Sequence, residues 1–419
     1  MYSEVKYMGK KYADNYWDFL GADTKEYTHS FHIYPAMMIP QVAREILNRY
    51  KNNDMKVLFD PYCGTGTSLV EGSLVGLKCI GTDLNPLARL ISKSKVTKVN
   101  IKNIIKLLNK FEEKTIDIAT KDYKKPNINN IDFWFKEKQI IELLFIKDFI
   151  DSIDNQDEKD FFLVPFSETL REVSLTRNGE FKLYRIPKEK IENWNPDTIK
   201  LFKEKVLRNI NGYNEFEKEN NLFNHEVYNF NSSEEIPNDL IQENSVDIVI
   251  TSPPYGDSGT TVAYGQFSTL SNEWLGIEDA RKLDKKLMGG KTTEIEKTGY
   301  DDLDSIIQQI AIEKPKRAKE IWSFYRDYKK SIENVSKIIR KNGICAYVVG
   351  NRRVSDIELP TDEFTRYIFE KNGFKHIETI IRSIPNKRQP KKTSPTNKTG
   401  KTVSTMTNEY IVIMKKEDY

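Results

Sequence analysis

Two short runs in this chain combine residue types that can do chemistry. The first, Asp60-Pro61-Tyr62-Cys63-Gly64-Thr65-Gly66-Thr67, follows the apolar triplet Val57-Leu58-Phe59 and precedes a helix-like segment. Glycines without a Cβ let a chain bend tightly and a ligand approach it. The helix that follows offers free N–H groups. Asp83, at the end of the next apolar stretch, Lys78-Cys79-Ile80-Gly81, is placed to accept hydrogen bonds from ribose hydroxyls. A dinucleotide site is one reading, but Leu69 stands where its third glycine belongs. The acid inside the turn suits an amino-acid ammonium group better than a pyrophosphate. Taken alone, the run also reads as a plain strand-to-helix turn.

The second run, Thr251-Ser252-Pro253-Pro254-Tyr255, leaves the apolar stretch Val246-Asp247-Ile248-Val249-Ile250. Two prolines remove two N–H donors and fix φ, which leaves a rigid turn rich in acceptors. The Ser252 hydroxyl and the turn carbonyls suit an NH2 group, and Tyr255 offers a face for a flipped base. An amine nucleophile must have its lone pair turned out of conjugation and aimed, and positioning is a large rate factor. No protein nucleophile is required. The plainer alternative is a Pro-Pro turn leaving a sheet.

The elements that must hold these runs follow from periodicity. Residues 31–50 read as an amphipathic helix with Val42, Ile46 and Leu47 on its apolar stripe. Strand, turn, helix and strand then succeed one another from 57 to 83. From 92 to 225 the chain is rich in Lys, Asn, Ile and Phe and reads as a largely helical insertion. Strands are expected over 226–230, 246–250, 344–349, 374–381 and 410–414, with helices over 325–341 and 364–371. Gly343 is placed to end the first of these helices. Alternating strands and helices argue for an open, mostly parallel α/β sheet. The domain reading is a main domain of 31–91 with 226–419, an insertion over 92–225 that could read a DNA target, and an N-terminal extension over 1–30.

Both runs follow apolar strands, so both belong at carboxyl ends, where open α/β sheets bind ligands. Here the chain resembles the amino-methyltransferase branch of the DNA methyltransferases. Asp60 to Thr67 resembles that family's cofactor motif, and Thr251 to Tyr255 is similar to the TSPPY catalytic motif of its N4-cytosine members. Gly81-Thr82-Asp83-Leu84-Asn85-Pro86 resembles the ribose motif, and Phe31-His32-Ile33-Tyr34-Pro35 the element covering the methionine end. The resemblance implies a Rossmann-like methyltransferase fold and S-adenosyl-L-methionine, which carries an ammonium and no phosphate. It implies Ser252, Pro253, Pro254 and Tyr255 as catalytic. It implies Tyr34, Asp60, Tyr62, Cys63, Gly64, Thr65, Gly66, Thr67, Asp83, Leu84 and Thr251 around the cofactor. The acid often found near the adenine is missing, and Asn231 or Ser232 stands there instead. The cofactor motif also precedes the catalytic motif, the reverse of many members.

The expected reaction is methyl transfer to N4 of cytosine in duplex DNA with base flipping. N6 of adenine, N2 of guanine in RNA and a non-catalytic DNA-binding specificity subunit are the alternatives. A C5-cytosine route needs a cysteine nucleophile, and the catalytic turn has none. Double-stranded DNA is the expected partner, with a restriction endonuclease of the same site as a candidate companion. Arg171, Arg177, Lys182 and Arg185, interleaved with Phe181 and Tyr184, suit phosphate contacts and base stacking, or a solvated hairpin. Residues 382–401 carry seven basic residues and no acid, and Lys387, Arg388, Lys391 and Lys392 are the expected backbone clamp.

Composition sets the outer limits. Of 419 residues, 38% are hydrophobic and 30% charged, enough for a core, yet net charge is only +3, so local clusters must attract any polyanion. Three scattered cysteines give no disulfide framework, and four histidines show no zinc spacing, so no metal is expected. No signal-like N-terminus and no long apolar run are seen, which fits a cytoplasmic protein away from membranes.

Overall fold

Adjacent residues in a strand face opposite sides of a sheet. Leu58 and Phe59 obey that rule, one joining the core with Val42 and Ile46, the other the core with Val249 and Tyr328. They lie in the centre of a computed structural model that describes residues 9–118, 123–220, 222–257, 262–354, 356–384, 392–393, 403–404 and 406–417. Strand β1 (Lys10–Ala13) and helix α1 (Pro40–Tyr50) precede β2 (Val57–Asp60), α2 (Thr67–Leu74), β3 (Lys78–Thr82) and α3 (Pro86–Val96). Helices α4 (Ile101–Lys114), α5 (Ile131–Trp134), α6 (Glu137–Asp151), α7 (Gln156–Val173), α8 (Lys188–Ile191) and α9 (Thr198–Glu219) follow. Next come β4 (Glu226–Tyr228), β5 (Val246–Thr251), α10 (Tyr264–Trp274), α11 (Leu283–Lys286), α12 (Asp301–Glu313), α13 (Pro315–Ile338) and β6 (Ile339–Val349). The chain ends through β7 (Arg353–Val354), β8 (Ile357–Glu358), α14 (Thr361–Lys371), β9 (Phe374–Ser383), β10 (Lys392–Thr393), β11 (Val403–Ser404) and β12 (Asn408–Lys416).

The main sheet has the order β1-β9-β12-β6-β5-β2-β3-β4. Its pairings are parallel except those of β12, which runs antiparallel to β6 and β9. This is the expected Rossmann-like α/β fold. All six residues of β5 are buried, as befits a parallel strand covered on both faces. From β2 the chain moves outward through β3 and β4; from β5 it moves the other way through β6. The order reverses between β2 and β5, so their carboxyl ends open the crevice where such sheets bind ligands.

The insertion is helical as expected, and it is not a detached unit. Phe111, Phe149, Phe162 and Phe202 share one core with Leu87 and Ile91 of α3 and with Phe267 and Trp274 of α10. The helices thus brace the two elements that leave β3 and the Thr251–Tyr255 turn. Among the described residues no helix is long and apolar enough to cross a membrane, and no cluster of His, Cys, Asp and Glu could hold a metal.

Several boundaries differ from expectation. The helix expected over 31–50 starts only at Pro40, because Ala36 takes a left-handed φ of 52° and Pro40 fits the first helical turn. Gly343 does not end a helix; it lies in β6, after Asn342 at φ 63°. That turn absorbs the residues between Ile339, paired with Val246, and Ile344, paired with Ile248. Helix α13 begins ten residues earlier than expected, at Pro315. The N-terminal extension supplies an unexpected edge strand, β1, parallel to β9.

Candidate active site

The turn after β2 is built around Asp60. Its buried carboxylate accepts from the Tyr62 N–H at 3.0 Å, the Thr251 hydroxyl at 2.5 Å and the Ser68 hydroxyl. One side chain therefore ties the end of β2 to the end of β5 and to the start of α2. Burial pushes Asp60 up to about 6, against those three hydrogen bonds. Gly66 has φ +80°, and a Cβ there would lie 2.9 Å from the Ser92 Cβ, so only glycine lets α3 pack this close. At the end of β3, Asp83 accepts from the Gly64 N–H at 3.0 Å and the Asn85 N–H at 2.7 Å. Burial raises its pKa, with those backbone bonds opposing.

Asn85 links this carboxyl edge to its neighbours. Its amide donates to the Tyr34 hydroxyl at 2.7 Å and to Ser268 of α10 at 2.9 Å. Tyr34 stacks on Tyr264, with ring centroids 6.0 Å apart. On the opposite wall the Tyr62 hydroxyl donates to Ser331, which donates to Ser232 at 2.8 Å.

These residues line a cleft that opens to solvent. It is lined by Tyr34, Asp60, Tyr62, Cys63, Gly64, Thr65, Thr67, Asp83, Leu84, Asn231 and Ser232, and by Ser252 and Pro254 of the second turn. Gly66 and Thr251 lie behind the wall, shaping it through packing and the Asp60 bond. Pro253 is buried and Tyr255 half-buried beside the cleft. Sequence reading missed Phe230, Tyr264, Leu287 and Met288, which also line it. Phe230 was expected in a strand, whereas β4 closes at Tyr228. Nothing local marks Leu287 or Met288, which reach the cleft from beyond α11.

The lining suits one class of ligand. It holds two carboxylates, several hydroxyls and apolar surface, and no Lys or Arg lines it among the described residues. That donor set fits hydroxyls, an ammonium and a flat apolar ring, and does not fit a pyrophosphate. The buried Thr65 hydroxyl has no hydrogen-bond partner in the described structure, which leaves a polar group for a ligand to satisfy.

The basic candidates fare differently. Arg171 is buried, donates to the carbonyls of Phe267 and Glu180, and sits 4.1 Å from the Phe267 ring centre. It holds α7 to α10 and does not face solvent, so the expectation of a phosphate contact is corrected. Arg177 is exposed; Arg185 lies over Phe133 and is bridged to Thr176, which makes a hairpin of this segment. Lys182 is half-buried. Lys387, Arg388 and Lys391 lie outside the described residues, and Lys392 is described only as part of β10. Phe267 and Trp274 are core residues of the helical layer.

A mostly parallel sheet whose order reverses beside two acceptor-rich turns, with no Lys or Arg lining the cleft among the described residues, is the Rossmann-like arrangement of methyltransferases. A family model described as UPF0020, RMKL-like, methyltransferase domain matches residues 26–131. The chain is 42% identical over 435 residues to the Type II methyltransferase M.MvaI of Kocuria varians, covering 97% of this chain and 96% of that one. It is 31% identical over 117 residues to the Type II methyltransferase M.MjaII of Methanocaldococcus jannaschii, covering 28% of this chain and 21% of that one. A match to the tRNA (guanine(10)-N2)-dimethyltransferase of the same organism, 37% identical, covers only 13% of this chain and 15% of that one. The chain belongs to the Type II methyltransferase family and is a DNA methyltransferase. Its cofactor is S-adenosylmethionine.

Proposed function

We propose that this enzyme methylates N4 of cytosine in duplex DNA, with the target base flipped out of the helix. The observation that carries this reading is the adjacency of the two turns. Ser252 and Pro254 share a cleft wall with Asp60 and Asp83, and Asp60 is bonded directly to Thr251. An exocyclic amine brought to Ser252 therefore meets a ligand held at the end of β2. When bound, S-adenosylmethionine supplies an electrophilic methyl group on a sulfonium. The protein's own part is orientation: the Ser252 hydroxyl and the Pro253 carbonyl accept from the amine, and Tyr255 stacks on the base. Asp83 would take ribose hydroxyls, Tyr34 and Thr65 to Thr67 would hold the methionine end, and Asn231 and Ser232 would serve the adenine. The helical insertion over 92–225, with Arg177, Lys182 and Arg185, and the basic segment containing Lys387, Arg388, Lys391 and Lys392 are assigned to DNA. A restriction endonuclease acting on the same site is the proposed companion.

Transfer from labelled cofactor to DNA and to RNA, followed by nucleoside analysis, tests the reading. N4-methylcytosine in DNA is expected. N6-methyladenine would overturn the choice of base, and label in RNA alone would overturn the choice of nucleic acid.

Asp60 is assigned to the cofactor ammonium, since three of its roughly four acceptor positions are used inside the turn and the remainder can face the cleft. The sign of the pH effect follows. A cation binds the ionised carboxylate, so affinity for S-adenosylmethionine should be full above about 6 and fall as pH drops through it. Stability of the free enzyme runs the other way: a raised pKa stabilises the fold in acid, and that contribution is lost as pH rises through about 6. Calorimetric titration between pH 5 and 8 should show the affinity slope in the wild type and a flat profile in Asp60→Asn. A flat wild-type profile would remove Asp60 from the ammonium site.

A further inference from the structure

The geometry points to Glu409 as a positioning residue for methyl transfer, acting through Tyr255 to make Ser252 an obligate hydrogen-bond acceptor. The inference rests on the proposed role of Ser252 in receiving the substrate amine. It arises from a chain of contacts that starts in the catalytic turn and ends on the far strands of the sheet. The Ser252 Oγ lies 3.2 Å from the Tyr255 Oη, which lies 2.9 Å from the Glu409 Oε1. The other oxygen of Glu409 is ion-paired with the Arg382 guanidinium, and Arg382 Nε donates to the Trp17 carbonyl at 2.8 Å.

Each link has a reason in the fold. Glu409 and Arg382 are directly opposed residues of β12 and β9, so their pairing is a cross-strand contact fixed by the register. Both stand at the same edge of the sheet as the end of β6, where Gly350 clears room for the Tyr255 ring. A Cβ at Gly350 would lie 2.7 Å from Tyr255 Cδ2. Trp17, fully buried, anchors the Arg382 end of the chain.

The directions of the hydrogen bonds then follow from what each group can do. An ion-paired carboxylate can only accept, so the Tyr255 O–H must donate to Glu409. Burial, with the Glu409 carboxylate beside it, holds the Tyr255 phenol protonated. With its proton committed, the Tyr255 oxygen is left to accept from the Ser252 O–H. The Ser252 proton is then turned away from the cleft, and both lone pairs of its oxygen are offered to an incoming N–H. A free serine hydroxyl rotates and can present a donor as readily as an acceptor. Here the carboxylate selects one of those states, and the aligned chain polarises the serine oxygen further. A turn otherwise served by a neutral side chain thereby borrows direction from a negative charge two residues removed in the chain of contacts.

The test is single-turnover methyl transfer at saturating cofactor and DNA, with both affinities measured in parallel. Glu409→Gln should slow transfer roughly threefold to tenfold, the size of one ordinary hydrogen bond, because a glutamine amide no longer enforces the direction. Cofactor affinity should be unchanged. In a Ser252→Ala background the same substitution should have no further effect, since the residue acts through that hydroxyl. Tyr255→Phe breaks the chain from its other end without touching the ion pair, and guards against a folding defect from an unpaired Arg382. It should likewise lose its hydroxyl effect once Ser252 is gone. A wild-type transfer rate in Glu409→Gln, or an equal loss with and without Ser252, would overturn the inference. If Ser252→Ala alone transferred methyl at the wild-type rate, the role given to Ser252 would fail, whatever Glu409 does.

Discussion

Asp83→Ala should weaken S-adenosylmethionine binding roughly 10- to 150-fold, the range for losing a hydrogen bond to a charged group of ~1.5–3 kcal/mol. The carboxylate lies at the carboxyl end of β3, lines the cleft and keeps only part of its acceptor capacity for the Gly64 and Asn85 N–H groups. Those two bonds also shape the turn, so the variant should melt at a lower temperature while remaining folded. Asp83→Asn separates the two effects. Its amide keeps one acceptor oxygen and turns a donor toward the other N–H, so it should fall between wild type and alanine in affinity. Calorimetric titration of the free enzyme is the measurement. An affinity in Asp83→Ala equal to wild type, with the melting temperature lowered, would show a turn-forming residue that the cofactor does not touch.

How much of this was legible in the sequence depends on whether the signal was local. The two turns were legible because each joins an apolar strand to glycine or proline at fixed spacing, and the sheet then places any two such carboxyl ends in one crevice. Most of the expected lining residues come from those turns. Leu287, Met288 and Tyr264 were not legible, because they reach the cleft only through the packing of α10 and α11. Strand β1 was missed for a similar reason: Lys10-Lys11-Tyr12-Ala13 has no apolar alternation, and its pairing to β9 is supplied from far along the chain. Arg171 shows the opposite error. Basic residues among aromatics look the same in sequence whether they face DNA or a helix core, and only burial against Phe267 separates the two. Glu409 carries no motif; its meaning depends on the register of β12 with β9.

The largest kinetic loss is expected at the Thr251–Tyr255 turn proposed as catalytic, and Tyr255 gives the cleanest dissection because its ring and its hydroxyl have different assignments. The ring packs beside Gly350, is half-buried and is the proposed stacking surface for an extruded base; the hydroxyl belongs to the chain from Ser252 to Glu409. Tyr255→Phe keeps the ring and loses only the hydroxyl, so much of the activity should remain. Tyr255→Ala also removes base–aromatic stacking of roughly 1–3 kcal/mol, which amounts to a further loss of about 5- to 150-fold in transfer. Ser252→Ala deletes one acceptor for the amine and leaves the Pro253 carbonyl, so it should slow transfer without abolishing it. Cofactor affinity should be nearly unchanged at Tyr255, which does not line the cleft. Single-turnover transfer to duplex DNA, with cofactor binding followed in parallel, separates these outcomes. Equal rates for Tyr255→Ala and Tyr255→Phe would mean that no base rests on this ring, and the stacking surface would then have to come from the cleft lining, where Tyr264 is one of the aromatic residues already in place.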